Sequence, residues 1–172
     1  EGNRAMAFFA AKQVDILSYS QDEEAKKSAE AMLAFLTPIA KAFMTEVGFE
    51  AANHGVQIYG GHGFIAEWGM EQNVRDSRIS MLYEGTTGIQ ALDLLGRKVI
   101  QQQGAGFKQF LGMIVEFCSQ NAHVNELAEF VAPLAQAAQD WQQLTLDIAQ
   151  RIQRDPEELG AAAVDYLFYS GY

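Results

Sequence analysis

The stretch SQDEEAKKSAEAMLAFLTPIAKAFMTEVGFEAANHGVQIY, from Ser20 to Tyr59, decides the fold class. Ser20 and Glu23 have the spacing of a capping box, so a helix is expected to begin here. The stretch lacks the alternation of apolar and polar residues that marks a half-buried strand. The residues expected to face the core are Met32, Leu33, Phe35 and Leu36. The sequence therefore predicts helical structure through about Tyr59.

Pro38 lies inside this stretch and cannot donate a backbone hydrogen bond. We therefore expect either a kink at this position or a new helix with Thr37 as N-cap and Pro38 at N1. The glycines at positions 60, 61 and 63 should end the helical stretch, because glycine allows sharp backbone turns.

Helical patterns continue on both sides of this stretch. Apolar residues predict helices over residues 4–17 and 70–82. A further helix, with Thr86 as its N-cap, is expected because apolar residues recur at helical spacing at Ile89, Leu92, Leu95 and Val99. No convincing strand pattern occurs anywhere. The chain is therefore predicted to be all-α, an up-and-down helical bundle followed by additional tail helices.

The tail is predicted to contain three helices, over residues 107–119, 126–154 and 156–169. Pro133 should kink the second or mark its true start, and Asp155 should cap the third, with Pro156 at N1. Residues 101–106 are polar and glycine-rich, which makes them the best candidate boundary between domains. We predict a helical bundle over residues 1–103, incomplete at its start, and a helical tail over residues 104–172, incomplete at its end.

Charge and composition argue against several classes of protein. Twelve Lys and Arg residues stand against twenty-two Asp and Glu residues, and no basic block occurs, so nucleic acid is not an expected partner. No stretch of ~18 residues lacks charged or strongly polar side chains, so no transmembrane helix is expected. Cys118, the single cysteine, excludes an internal disulfide and should be a buried thiol. His54 and His123 lack partners at metal-ligand spacing, so no metal site is predicted.

Two stretches stand out from a generic helix bundle: QIYGGHGF at residues 57–64 and LYEGTTGIQ at residues 82–90, with Arg75-Asp76 between them. In this order and at this spacing they closely resemble the acyl-CoA dehydrogenase family, whose C-terminal domain carries Q-x-x-G-G-x-G-[FY], then R-D, then Y-E-G-T. The joint match covers residues 57–98. Residues 1–56 resemble the first helices of that domain in pattern. The segment after Gly104 resembles an extra helical tail found in one branch of the family.

The resemblance implies an enzyme that removes the α-proton of an acyl-CoA and transfers a β-hydride to FAD, which gives the trans-2-enoyl-CoA. Glu84 matches the family's catalytic base, and its backbone N–H would donate to the thioester carbonyl. An α-C–H is too weak an acid for a carboxylate in water, so that carbonyl must be polarised and the base desolvated. Gly85 would let the substrate approach the backbone closely.

The resemblance also implies a set of cofactor-binding residues: Gln57, Ile58, Tyr59, Gly60, Gly61, Thr86, Thr87 and Gly88. The first five would reach the adenosine-pyrophosphate end of an FAD bound mainly by a neighbouring subunit, so a homo-oligomer, either dimer or tetramer, is expected. Many members carry Gln where this chain has Gly88, so only a backbone contact is expected there.

Other polar and aromatic residues near the motifs are expected to be structural. Arg75 and Asp76 should each bond a neighbouring helix or loop, because adjacent residues on a helix do not face each other. His62 could approach FAD, but this position varies within the family. Trp68 and Tyr83 are expected to be packing groups.

The expected partners are an acyl-CoA substrate and an electron-transfer flavoprotein as electron acceptor. The expected location is the cytoplasm or, in a eukaryote, the mitochondrial matrix. The family's N-terminal helical and middle β domains lie outside this chain, so the chain alone is expected to be inactive. Two alternatives stay open: an acyl-CoA oxidase that passes electrons to O₂, and a non-catalytic helical oligomerisation module that keeps the motif as scaffold.

Overall fold

The computed structural model describes all residues from 1 to 172. It contains eight α-helices and no strand, so the all-α prediction is confirmed. Two 3₁₀ turns, Ala66–Trp68 and Asn125–Leu127, and a π-helix, Asp93–Gln101, join them. The α-helices are α1 Gly2–Tyr19, α2 Glu23–Tyr59, α3 Gly61–Phe64, α4 Met70–Ser80, α5 Thr87–Leu92, α6 Ala105–Asn121, α7 Ala128–Arg154 and α8 Glu158–Gly171.

The start of α2 differs from the predicted capping box. Asp22 is the N-cap, and its carboxylate accepts the backbone N–H groups of Glu24 at 2.9 Å and Ala25 at 3.3 Å. Ser20 acts one step earlier, since its hydroxyl oxygen accepts the N–H of Asp22 at 3.1 Å. An aspartate at this position accepts two N–H groups that have no partner within the helix, and its negative charge interacts favourably with the positive end of the helix dipole.

The predicted helix restart at Pro38 is wrong, because α2 runs without a break from Glu23 to Tyr59. Thr37 is not an N-cap; its hydroxyl donates to the carbonyl oxygen of Leu33 at 2.7 Å. A proline inside a helix costs about 3 kcal/mol. Burial of each large apolar side chain contributes about 1.5–3 kcal/mol, and Phe35 and Ile39 on either side are 2% and 1% exposed. Packing therefore outweighs the cost of the proline.

The tail contains the three predicted helices with shifted ends. Pro133 neither ends nor begins α7, which starts at Ala128 and continues through it. Asp155 provides a capping bond, since its carboxylate accepts the N–H of Glu157 at 3.0 Å. The regular helix α8 nevertheless begins at Glu158, two residues later than Pro156. The domain boundary at residues 103 and 104 stays a prediction.

The segment after α5 departs from the expected regular helix. It becomes a π-helix at Asp93, and a wider turn changes which residues face inward. Leu95 and Val99 are buried as a helical stripe requires, whereas Ile89 and Leu92 are 59% and 42% exposed. The spacing of apolar residues therefore predicts that this segment is helical, but not that part of it is a π-helix.

An aromatic cluster joins the tail to α2. Phe35 on α2 lies 6.1 Å from Phe107, 6.0 Å from Phe110 and 6.0 Å from Trp141, measured between ring centroids. Phe35, Phe107 and Trp141 belong to the core of 18 buried residues, and the partly buried Phe110 packs against it. This core draws on α2, α5, α6, α7, α8 and the π-helix. The helices before and after residue 104 therefore share one core.

A close approach of two backbones fixes the start of α6. A Cβ atom at Gly106 would lie 2.4 Å from the carbonyl oxygen of Ala31 and 2.5 Å from the Cβ of Phe35. Only glycine lets α6 press this closely against α2. The buried thiol of Cys118, 7% exposed, lies further along the same helix, as expected.

By length and mean hydropathy, 1.3 over its most apolar window, α2 could cross a membrane. A buried core helix passes the same test, and 39% of that window is buried inside the protein. This is therefore weak evidence for a membrane span.

A buried hydroxyl pair lies between α7 and α8. Thr145 donates to the carbonyl oxygen of Trp141 at 2.7 Å, and the hydroxyl of Tyr166 lies 2.9 Å from the Thr145 oxygen. Tyr166 is 1% exposed, and this burial raises the pKa of Tyr166 to about 12, with the hydrogen bond to Thr145 acting in the opposite direction. Burial favours the neutral phenol because a phenolate would lose its hydration.

We expect Gly106→Ala to lower the free energy of unfolding of this chain by about 1–3 kcal/mol, because the methyl group overpacks the contact with α2. Gly112→Ala is the matched control on the same helix, where a Cβ would meet no atom within 4 Å. It should stabilise the chain by up to ~1 kcal/mol through helix propensity. Urea unfolding followed by circular dichroism measures both. Similar effects at the two positions would contradict the close approach.

We expect the stabilisation due to Tyr166 to be complete below pH ~10 and to be lost as the pH rises toward ~12. In that window the phenol ionises in the unfolded chain but stays neutral in the folded one, which costs up to ~3 kcal/mol. Tyr166→Phe should remove this dependence. The measurement is the difference in unfolding free energy between wild type and variant at pH ~9 and ~11.5. Exposed Tyr19→Phe is the control, and a constant difference for Tyr166→Phe would refute the assignment.

Candidate functional site

The residue predicted as catalytic base, Glu84, lies on a strained turn between α4 and α5. Its φ is +54° and that of Gly85 is +91°, both in the left-handed region. For a residue with a side chain this conformation costs about 1–2 kcal/mol, so it persists only where neighbouring groups enforce it. Glu84 is exposed, and no hydrogen bond or salt bridge engages its carboxylate. Its backbone N–H also has no acceptor within the chain.

Three side-chain hydrogen bonds hold this turn. The ammonium of Lys41 on α2 donates to the carbonyl oxygen of Gly85 at 2.5 Å. The side-chain amide of Gln90 on α5 donates to the carbonyl oxygen of Glu84 at 2.9 Å. The hydroxyl of Thr87 donates to the carboxylate of Glu46, also on α2, at 2.5 Å. The turn and the start of α5 are thus held at Glu84, Gly85 and Thr87.

The sequence analysis missed Lys41, Glu46 and Gln90. A signal for the first two was present, since they are the only charged residues between Ala31 and Phe49 in an otherwise apolar stretch of α2. A charge on such a stretch usually has a specific partner, because burying it unpaired is costly. Nothing in the spacing pointed to Gln90.

Gly85, predicted to bind substrate, is required at its position. Its φ of +91° favours glycine, and a Cβ there would lie 2.7 Å from the side-chain nitrogen of Gln90. A side chain would therefore displace the amide that holds Glu84. Close packing of the turn, as well as room for a ligand, explains this glycine.

The other motif forms the end of α2 and the short helix α3. Gly60, with φ +60° and ψ −138°, ends α2. Ile58 and Tyr59 before it are 83% and 59% exposed. Gly63 is buried. It packs so closely against α2 that a Cβ there would lie 2.4 Å from the carbonyl oxygen of Val56. This stretch therefore offers an exposed apolar edge beside a tight turn.

The predicted FAD contacts fall into two separate places. Glu46 lies beside Thr87 and precedes Gln57 by eleven positions on α2, which corresponds to about 16 Å along the helix axis. The structure therefore does not bring residues 57–61 together with residues 86–88. This separation is compatible with contacts to the flavins of two different subunits.

The small residues at both places would fit a ligand lying against the backbone. A Cβ at Gly60, Gly61 or Gly88 would meet no atom within 4 Å, so the space beside each is open. Thr86 is the N-cap of α5, but its hydroxyl makes no capping bond and is free to bind a ligand. The hydroxyl of Thr87, in contrast, is engaged by Glu46.

The residues expected to be structural give a mixed result. Asp76 accepts a hydrogen bond from Gln72 of its own helix at 2.6 Å, not from a neighbouring helix or loop, and Arg75 makes no salt bridge. His62 packs edge-on against Trp68 with ring centroids 5.4 Å apart. Tyr83 is 53% exposed and is not a packing group within this chain. The prediction that Arg75 and Asp76 bond a neighbouring helix or loop is wrong, because α4 leaves both side chains on its exposed surface.

An open groove of about 980 Å³ lies between α2 and α4 and was not anticipated. It contains none of the residues predicted to bind substrate or FAD. No group of three or more His, Cys, Asp or Glu side chains is placed to share a metal ion. The residues that line the groove are Phe49, Asn53, Val56, Phe64, Glu71, Val74, Arg75, Asp76, Arg78, Ile79 and Leu82.

Comparison with known proteins gives matches along the whole chain. The family described as "Acyl-CoA dehydrogenase, C-terminal domain" matches residues 1–100, and the family described as "Acetyl-CoA dehydrogenase C-terminal like" matches residues 110–172. Among solved structures, "Bd2924 apo-form" covers 97% of this chain and 28% of its own with a TM-score of 0.71. At 22% identity, that likeness shows the fold alone.

Similar curated proteins are acyl-CoA dehydrogenases. A 3-methylmercaptopropionyl-CoA dehydrogenase of Ruegeria pomeroyi is 38% identical over 99% of this chain and 29% of its own length. A broad-specificity linear acyl-CoA dehydrogenase of Mycobacterium tuberculosis is 33% identical over 83% of this chain and 23% of its own length. A butyryl-CoA dehydrogenase of Syntrophomonas wolfei is 31% identical over 76% of this chain and 21% of its own length.

The chain thus spans less than a third of each of these relatives. The two family models between them cover residues 1–100 and 110–172, and both describe C-terminal domains. The chain therefore belongs to the acyl-CoA dehydrogenase family and corresponds to its C-terminal helical region.

Proposed function

We propose that this chain forms the C-terminal catalytic part of an FAD-dependent dehydrogenase that oxidises an acyl-CoA to the trans-2-enoyl-CoA. The observation that carries the proposal is the state of Glu84. Its carboxylate and its backbone N–H are both free of partners within the chain, on a turn fixed by three hydrogen bonds. A single residue thus offers a base and a hydrogen-bond donor side by side.

These two groups suit the removal of a proton next to a thioester. The N–H of Glu84 would donate to the thioester carbonyl, which acidifies the α-C–H by stabilising the negative charge that develops on oxygen. The carboxylate of Glu84 would then take the α-proton and become a carboxylic acid. Substrate binding would exclude water from the exposed turn and so make the carboxylate a stronger base.

The β-hydrogen must leave with its electron pair, which no side chain of this chain can accept. FAD, when bound, supplies that hydride acceptor. The free hydroxyl of Thr86 and the open backbone at Gly88 would hold the flavin next to the turn, with Thr87 fixed by Glu46.

We further propose that Gln57, Ile58, Tyr59, Gly60 and Gly61 contact the adenosine-pyrophosphate end of FAD in a neighbouring subunit. The exposed edge at Ile58 and Tyr59 and the distance of this stretch from Glu84 support a homo-oligomer. An electron-transfer flavoprotein is the proposed acceptor of the electrons. The cytoplasm or, in a eukaryote, the mitochondrial matrix is the proposed location, which suits a chain with one buried free thiol.

The proposed substrate class is the acyl-CoA thioester. The names of the similar proteins cover a butyryl, a linear and a sulfur-containing acyl group, so the family relationship supports the thioester rather than one acyl chain. The part of the molecule that reacts is common to all of these substrates.

We expect Glu84→Gln in the full-length protein to slow flavin reduction by an acyl-CoA about 10²- to 10⁴-fold, the usual contribution of a general base, while FAD stays bound. The measurement is the anaerobic bleaching of oxidised flavin with butyryl-CoA, a longer linear acyl-CoA and 3-methylmercaptopropionyl-CoA. Glu129→Gln, an exposed carboxylate on α7, is the matched control. An unchanged rate in Glu84→Gln would refute the assignment of the base, and rapid reoxidation of the reduced protein by O₂ would favour an oxidase.

A further inference from the structure

We propose that Lys41 and Gln90 are positioning residues that hold Glu84 in its reactive orientation through the backbone of the turn. The inference rests on the proposed function, since it concerns the same base. Lys41 and Gln90 donate to the adjacent carbonyl oxygens of Gly85 and Glu84, at 2.5 Å and 2.9 Å.

The surroundings of Lys41 indicate a specific task. It lies in the middle of α2, and Ile39 and Ala42 near it are 1% and 0% exposed. Its ammonium forms no salt bridge, and its one hydrogen bond within the chain goes to the carbonyl oxygen of Gly85. A lysine that gives up part of its hydration here gains a backbone acceptor and not a counter-ion.

Fixing two adjacent carbonyls fixes the direction of the peptide groups on both sides of Gly85. Glu84 would otherwise relax from its φ of +54°, because a residue with a side chain favours negative φ. Because φ is the torsion about the N–Cα bond, relaxation would change the direction of the carboxylate relative to the N–H, and the donor and the base would no longer be aligned with each other. Lys41 and Gln90 therefore act on the reaction through Glu84.

A purely structural role for Lys41 makes a different prediction. The bond between Thr87 and Glu46 also joins α5 to α2, so the two helices stay connected without Lys41. If Lys41 served stability alone, its loss would lower the melting temperature and leave the rate of the folded, FAD-loaded enzyme unchanged. If it positions Glu84, the rate falls while the fold, the FAD content and the affinity for acyl-CoA are kept.

The test is stopped-flow flavin reduction by butyryl-CoA in the full-length, FAD-loaded enzyme. Lys41→Met should lower the limiting rate roughly 10- to 100-fold, as expected for a misplacement of about 1 Å, and leave the dissociation constant of the acyl-CoA within about threefold. Substrate deuterated at the α-carbon should show a larger isotope effect than in wild type, because proton removal becomes slower. Lys41→Arg, which keeps a charged donor, should recover part of the rate, and Lys12→Met on α1 should behave as wild type.

Gln90→Leu provides a second route if Lys41→Met fails to fold, and the same loss of rate with affinity retained is expected. Glu84→Gln is measured alongside. A slow Glu84→Gln variant with wild-type rates for Lys41→Met and Gln90→Leu would overturn the positioning role and leave the proposed function intact. A wild-type rate for Glu84→Gln would instead overturn the proposed function itself. A reduced rate in Lys41→Met that Lys41→Arg does not improve would also contradict the role of the hydrogen bond.

Discussion

Burial of the middle of α2 is the constraint on which the rest of this structure depends. Met32, Phe35, Ile39 and Ala42 are at most 2% exposed, and helices from both ends of the chain cover them. This burial keeps the helix continuous through Pro38. It also fixes in space the two charged side chains of the same stretch, Lys41 and Glu46. The turn at Glu84 is held from α2, so the core and the candidate site depend on one helix.

The long helix, the tail helices and the motif residues could be predicted from the sequence because they depend on local patterns. Apolar spacing, glycine positions and the Y-E-G-T motif are all visible within a few neighbouring residues. The ends of helices were predicted less accurately, as at Ser20 and Asp155, because several polar residues compete to cap the same unpaired N–H groups. Continuity through Pro38 depends on packing against distant helices, which no local pattern contains.

In the candidate site, too, features set by local sequence could be predicted, and features set by contacts between distant segments could not. Glu84 and Gly85 were identified by their motif, but the bonds that shape the turn were not. Lys41 and Gly85 are 44 positions apart, and Glu46 and Thr87 are 41 positions apart. Such pairs become neighbours only when α2 and α5 pack together. The isolated charges in an apolar stretch were the one available sign. The separation of the two proposed flavin-contact stretches likewise follows from the length of α2.

The aromatic contacts of the tail have a consequence for how this branch of the family could have diverged. Phe35 meets Phe107, Phe110 and Trp141, while Phe43 lies 6.1 Å from Phe168 and 5.0 Å from Tyr172. Without α6, α7 and α8, both phenylalanines would lose these contacts. Gain or loss of the tail would therefore change what surrounds both side chains on α2. The tail and the face of α2 that carries these two phenylalanines are accordingly coupled through packing, so that a change in one alters the environment of the other.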